Sequence, residues 1–222
     1  MPFPLTHLCV AWNVLESHPL PNPAQFLLGA IAPDAIHFRA EFQGAAMSNI
    51  GAAKKITHLC PVSDEKWGRV TDNIGWVTCV KEFIKNHGGD PFIKGYAAHV
   101  ITDIHNNRTM WNNFRTNHPA EAAKGYTSEY YTDLKKINVR LHHEFPAVSE
   151  IMELLERAVP VGIEGLVTAG EVLAIRESLL AEHRDVAGVV GVTEGDGGYS
   201  FVSYGDTVEF VGSAVGEVLG VL

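Results

Sequence analysis

The sequence predicts an all-α protein. Apolar residues recur at helical spacing in long segments, above all Trp67, Val70, Ile74, Val77, Val80, Phe83 and Ile84, and again Val172, Leu173, Ile175, Leu179 and Leu180. Start and stop signals bracket such segments. His87-Gly88-Gly89 ends one helix, and Asp90-Pro91 opens the next with a capping carboxylate and a proline at the first helical position.

Taken in order, Thr6 is expected to cap a first helix to about Ser17, with Leu8, Ala11, Val14 and Leu15 on its apolar side. His18 to Pro23 alternates with prolines and makes a rigid connector. Ala24 to Ala32 is a short apolar helix stopped by Pro33, and Arg39 to Lys55 is Gly- and Ala-rich and reads as a long loop of the kind that covers a site. Asp64 to Asn86 is an amphipathic helix, and Pro91 to about Asn107 another. Further helices are expected over Ser128–His142, Pro146–Ala158, Thr168–His183 and Thr207–Leu219, the last capped by Asp206. Between them, Asp185 to Ser200 is Gly-rich and suits a turn or short hairpin. Residues 1–160 read as a metal-binding helical domain and 161–222 as a helical extension packed on it. The weak boundary near Pro160 to Gly165 does not make two domains.

Composition bounds the function. The chain has 222 residues, 46% hydrophobic and 19% charged, enough for one sizeable core. A net charge of −9 disfavours long nucleic acids and anionic membrane surfaces, which repel it. Because a bound metal ion dominates its surroundings, this balance still admits a single phosphate group. Three cysteines, Cys9, Cys60 and Cys79, form no CxxC, which argues against a disulfide framework or a zinc knuckle. The first residues lack the basic and long apolar regions of a signal peptide, and no apolar run is long enough to span a membrane, so a cytoplasmic location is the default expectation.

The chemistry centres on His and Asp. In Gly95-Tyr96-Ala97-Ala98-His99-Val100-Ile101-Thr102-Asp103, the His and the Asp are four apart and share one helix face among apolar neighbours. A buried Asp is costly unless paired. Either a bound cation or a His–Asp hydrogen bond satisfies this pair. His105 lies roughly 200° around from Asp103 and cannot join that face unless the helix ends first, so it is expected either at the surface or supporting a ligand from behind. Thr6-His7-Leu8-Cys9 and Thr57-His58-Leu59-Cys60 repeat one tetrapeptide. A Thr cap would place each His at a helix N-terminus, whose dipole favours the neutral, metal-binding imidazole. Asp34 follows the apolar segment Phe26 to Pro33 and is either a cap or a ligand. His37, three residues on, is a candidate proton donor or an ordinary loop His. Arg108 is a candidate for holding a substrate phosphate, or a charged surface residue at a helix end. Glu129 and Asp133 share a helix face, and Asp133 is the best additional ligand, against a solvated face.

Together these motifs resemble the bacterial zinc-dependent phospholipase C family, whose multihelical bundle is shared with zinc-dependent single-strand nucleases. The matching order is an N-terminal His, an Asp after Pro, a His, then His-x3-Asp on a helix, across about residues 1–140. The resemblance implies that His7 binds one zinc ion, that Asp34, His58 and His99 bind a second, and that Asp103 bridges them. Two features of the family lack a counterpart: a freed N-terminal residue as ligand, and a further His followed by His-x3-Glu for a third ion. One site is therefore expected to be incomplete. No GxSxG, Walker loop or GxGxxG is present.

Two functions follow as expectations. The first is a metal-dependent hydrolase of a phosphoester, expected to be a phosphodiester, using metal-activated water on a small phosphoester or a phospholipid head group. The second is a non-catalytic protein that keeps the fold around a structural metal.

Overall fold

The computed structural model describes residues 3–42, 50–61, 65, 67–187 and 198–222. Among them it is all-helical. The helices are α1 (Pro4–Ser17), α2 (Pro23–Gly29), α3 (Ile50–Thr57), α4 (Asn73–Asn86), α5 (Pro91–Arg108), α6 (Met110–Asn117), α7 (Pro119–Ala122), α8 (Glu129–Glu144), α9 (Val148–Arg157), α10 (Ala169–Ala187) and α11 (Tyr204–Leu219). No β-strand occurs among the described residues; one bridge pairs Ile163 with Val167.

Helix α5 is the axis of the protein. Asp90 caps it, its Oδ1 accepting from the N–H groups of Phe92 and Ile93 at 2.8 and 3.1 Å, and Pro91 follows as the sequence predicts. Nearly every residue from Phe92 to Asn107 is buried, because α2, α4, α11 and α1 pack around it. A helix surrounded on all sides can carry polar residues only where they meet one another, and His99 and Asp103 do so.

The tightest packing is α2 on α5. A Cβ on Gly95 would lie 2.0 Å from the Phe26 carbonyl oxygen, and one on Gly29 would lie 2.1 Å from that of Phe92. Only glycine at both positions lets the backbones touch. After α2 the chain tightens into a 3₁₀ turn, Ala32–Phe38, which carries Asp34 and His37. Helix α10 packs on this turn and α11 on α1 and α5, so one apolar cluster runs from Leu5 to Val218, with Ile163 and Val167 included.

Several boundaries differ from the sequence reading. Phe3, not Thr6, is the N-cap of α1, because Pro4 takes the first helical position. Part of the expected loop 39–55 is helix α3, and 43–49 lie outside the described residues. Helix α4 starts at Asn73, where the Asp72 carboxylate accepts from the Gly75 N–H at 2.8 Å; Asp64 lies outside the described residues. Ser203, not Asp206, caps α11, and Asp206 closes a reciprocal capping box. Most of the Gly-rich stretch expected to turn, 188–197, lies outside the described residues.

Candidate metal centre

Four elements deliver side chains to one buried point beside α5. Helix α5 supplies His99 and Asp103, one turn apart. The 3₁₀ turn supplies Asp34, α1 supplies His7, and the end of α3 supplies His58. His58 is held at the opposite end of its helix from the one expected. Its N–H still bonds the Lys54 carbonyl at 2.8 Å, Leu59 turns left-handed at φ 55°, and the Cys60 N–H closes back on Lys55 at 2.8 Å. This is a C-terminal αL cap with leucine where glycine is usual. Trp76 Nε1 donates to the His58 carbonyl at 2.6 Å, and the Tyr96 hydroxyl donates to the Thr57 carbonyl.

The donor atoms converge. His58 Nε2 lies 3.3 Å from His99 Nε2, 3.3 Å from Asp103 Oδ2 and 3.5 Å from Asp34 Oδ1. His99 Nε2 lies 3.6 Å from Asp103 Oδ2 and 3.9 Å from Asp34 Oδ2. Four tetrahedral ligands with bonds of about 2.0–2.1 Å stand about 3.3–3.4 Å apart. On the other side of Asp103, Oδ1 is 3.6 Å from His7 Nε2, and the His7 ring stacks on His99 at 3.7 Å. One carboxylate thus faces two positions, with His7 at the second.

The ring orientations are fixed from behind. His99 Nδ1 is 2.8 Å from the Ala30 carbonyl, and His58 Nδ1 is 3.0 Å from that of Lys54. Carbonyls only accept, so each Nδ1 carries the proton and each Nε2 presents a lone pair. Two lone pairs 3.3 Å apart beside two carboxylates repel unless a cation lies between them. Both nitrogens of His7 and both oxygens of Asp103 are buried without a hydrogen-bond partner, as a ligand set is before its ion binds. These groups can hold a metal ion.

Electrostatics favour the ligating forms of His58, His99 and Asp34, while Asp103 is left to a cation to ionise. Burial holds the His58 imidazole down at about 3 and His99 at about 4, so both are neutral at neutral pH. The helix dipole expected for His58 has no part in this. Burial raises the Asp103 carboxyl well above the usual range, helped by Asp34, whereas Asp34 is held well below it against its own burial by Lys54 and His58. Lys54 is the residue that sequence reasoning missed. Its ammonium is buried 2.7 Å from Asp34 Oδ1. Its position four residues before His58 was the available signal, since the helical spacing puts both on one face.

Two cavities reach the cluster. The larger, about 400 Å³, touches Asp103 and is lined by Trp67, Trp76, Trp111, Tyr126, Tyr131 and Arg115, among others. The smaller, about 250 Å³, touches Asp34, His37 and Lys54 and shares Tyr126 and Tyr131 with the first. His37 Nε2 lies 3.7 Å from Asp34 Oδ1, and burial lowers its pKa. Asn107 lines the larger cavity, and its amide ties Val70 and Asn73 to α5 at 2.7 and 3.0 Å.

Two expected site residues lie elsewhere. Asp133 accepts from the N–H groups of Ser200, Phe201 and Val202 at 2.8, 2.8 and 3.3 Å; it anchors the approach to α11 and stands in neither ligand group. Arg108 pairs with Glu217 at 3.4 Å in a surface groove that shares no lining residue with either cavity, because the last turn of α5 points it away. His105 is neither at the surface nor in either ligand group; it is buried, with its Nε2 2.8 Å from Ser213 Oγ and its ring stacked on Phe210. Compared with protein-family models, curated proteins and solved structures, the chain matches none.

Proposed function

We propose that the protein is a zinc-dependent phosphoric ester hydrolase acting on a phosphodiester, with the bundle and ligand order of the zinc-dependent phospholipases C and single-strand nucleases. The observation that carries this is the convergence of the His58 and His99 imidazoles with the Asp34 carboxylate, with Asp103 beside both rings, at a point that two cavities reach. The ion, when bound, supplies polarisation of a phosphoryl oxygen and lowers the pKa of water towards neutrality.

The chain's own residues supply the rest. Asp34, His58 and His99 hold one ion, with Asp103 turned to it and to the His7 position. The Ala30 and Lys54 carbonyls keep both Nε2 lone pairs aimed inward. Asp34 would accept a proton from the attacking water, and His37, 3.7 Å from it and facing the smaller cavity, would pass that proton on to the leaving oxygen.

The test is elemental analysis of protein purified without added metal, followed by turnover of bis(p-nitrophenyl) phosphate. Zinc at one or two equivalents, hydrolysis abolished by chelator, and loss of both in His99→Ala is the expected outcome. Zinc without turnover on a broad phosphoester panel refutes the hydrolase. That result would leave the second reading, a structural metal, which one feature favours: His7, Asp34, His58, His99 and Asp103 are all buried.

A further inference from the structure

We propose that Lys54 makes the smaller cavity an oxyanion-binding subsite, which takes the phosphoryl group of a singly charged ester once the metal is in place. The inference rests on the metal reading above and adds a binding residue that neither the motifs nor the ligand set contains.

The argument begins with the cost of burying a lysine. The Lys54 side chain is 2% exposed, yet its one ion-pair partner among the described residues is Asp34. An ammonium has three donors, and a buried one is strongly disfavoured unless its charge is met. The Lys54 Nζ also lies 5.7 Å from the centre of the Trp67 ring, and the residue lines a cavity of about 250 Å³. A tetrahedral oxyanion there would receive hydrogen bonds from an ammonium already in position, so no side chain need be ordered on binding.

Charge makes the subsite conditional. Without metal, Asp34 neutralises Lys54, and the cavity has nothing to offer an anion. A divalent ion held by Asp34, His58 and His99, with Asp103 beside it, would offset the two carboxylates and leave the ammonium as one net positive charge. That balance matches a phosphodiester, with one negative charge, better than a phosphomonoester with two. The remaining wall agrees, since Phe3, Phe38, Ile175 and Leu179 are apolar and suit an organic substituent on phosphorus. Glu182, also on the wall, has a side chain 42% exposed, so water screens its charge, and its carboxylate accepts from Asn138 at 2.6 Å.

The experiment is calorimetric titration of zinc-loaded and chelator-treated full-length protein with diethyl phosphate and with inorganic phosphate. Zinc-loaded wild type is expected to bind the diester, chelated protein to bind neither anion, and zinc-loaded Lys54→Met to bind the diester at least about tenfold more weakly while keeping its zinc. Equal binding by Lys54→Met overturns the proposal and assigns the anion to the metal alone. Tighter binding of inorganic phosphate than of the diester overturns the diester preference. A second measurement on wild type covers the case in which Lys54→Met does not fold. The ¹H–¹⁵N signal of the buried ammonium is expected to shift when diethyl phosphate is added to zinc-loaded protein, and an unmoved signal overturns the proposal. Protein that takes up no zinc overturns both readings. Protein that binds the diester through Lys54 but never cleaves it refutes the hydrolase alone.

Discussion

Gly95→Ala tests whether the packing of two helices sets the geometry of the candidate metal centre. The added Cβ would stand 2.0 Å from the Phe26 carbonyl oxygen, with the Ala30 nitrogen at 3.0 Å. An ordinary C···O contact is about 3.3 Å, so α2 must move off α5 by about 1.3 Å. That movement carries the Ala30 carbonyl away from His99 Nδ1, now at 2.8 Å, to beyond hydrogen-bond range. Overpacking costs about 1–3 kcal/mol and the lost hydrogen bond about 1, against a gain of about 1 from replacing glycine inside a helix. A net loss of about 2 kcal/mol lowers Tm by roughly 4–8 °C in a chain of this size. The same variant frees the His99 ring, and losing the group behind a metal-bound His weakens metal affinity about 10- to 100-fold. Thermal melts of metal-free protein and a competition titration with a zinc indicator read the two effects separately. Wild-type zinc affinity together with a wild-type Tm would refute the idea that the Gly29–Gly95 contact positions the ligand.

The metal-free protein should lose stability as pH falls from about 6.5 towards 4. His99 is neutral in the fold down to about 4 whereas the unfolded chain takes up a proton near 6.5, a difference of about 3 kcal/mol, and urea melts across that range check it. Saturating zinc should raise Tm at neutral pH by about 2.7 kcal/mol worth of stability at a hundredfold excess over Kd, an effect that His58→Ala removes in calorimetry. Asp133→Ala should cost about 3 kcal/mol, because three backbone N–H groups lose a charged acceptor, yet leave zinc content unchanged in elemental analysis. Arg108→Ala should change neither turnover nor, beyond about 0.5 kcal/mol, stability, since its pair with Glu217 is 46% and 40% exposed. A large kcat loss in this variant would place Arg108 in the site after all.

The local parts of the architecture were legible because they depend on neighbours in sequence. Asp90-Pro91 starts α5 as predicted, and the four-residue spacing of His99 and Asp103 puts both on one face whatever surrounds them. Helix α3 escaped notice because its eight residues carry two lysines and too few apolar positions to show a period. With α3 missing, Thr57 read as a cap and His58 as a first-turn residue, when it is the last residue its helix still bonds. Asp133 and Arg108 misled for one reason. A carboxylate or guanidinium on a helix face looks the same whether it meets a metal, a backbone loop or another side chain.

What the sequence alone determined, then, is the longer helices, the His99–Asp103 face and the residue types that suit a metal such as zinc. Only the tertiary structure decided that Asp34 and His58 reach that face and that Lys54 stands behind Asp34. Segments distant in sequence meet here because two glycines let α2 touch α5, and helical periodicity carries no record of how closely two helices approach. The neutral state of the imidazoles belongs to the same class, since it arises from burial by neighbours remote in the chain rather than from the ends of their own helices.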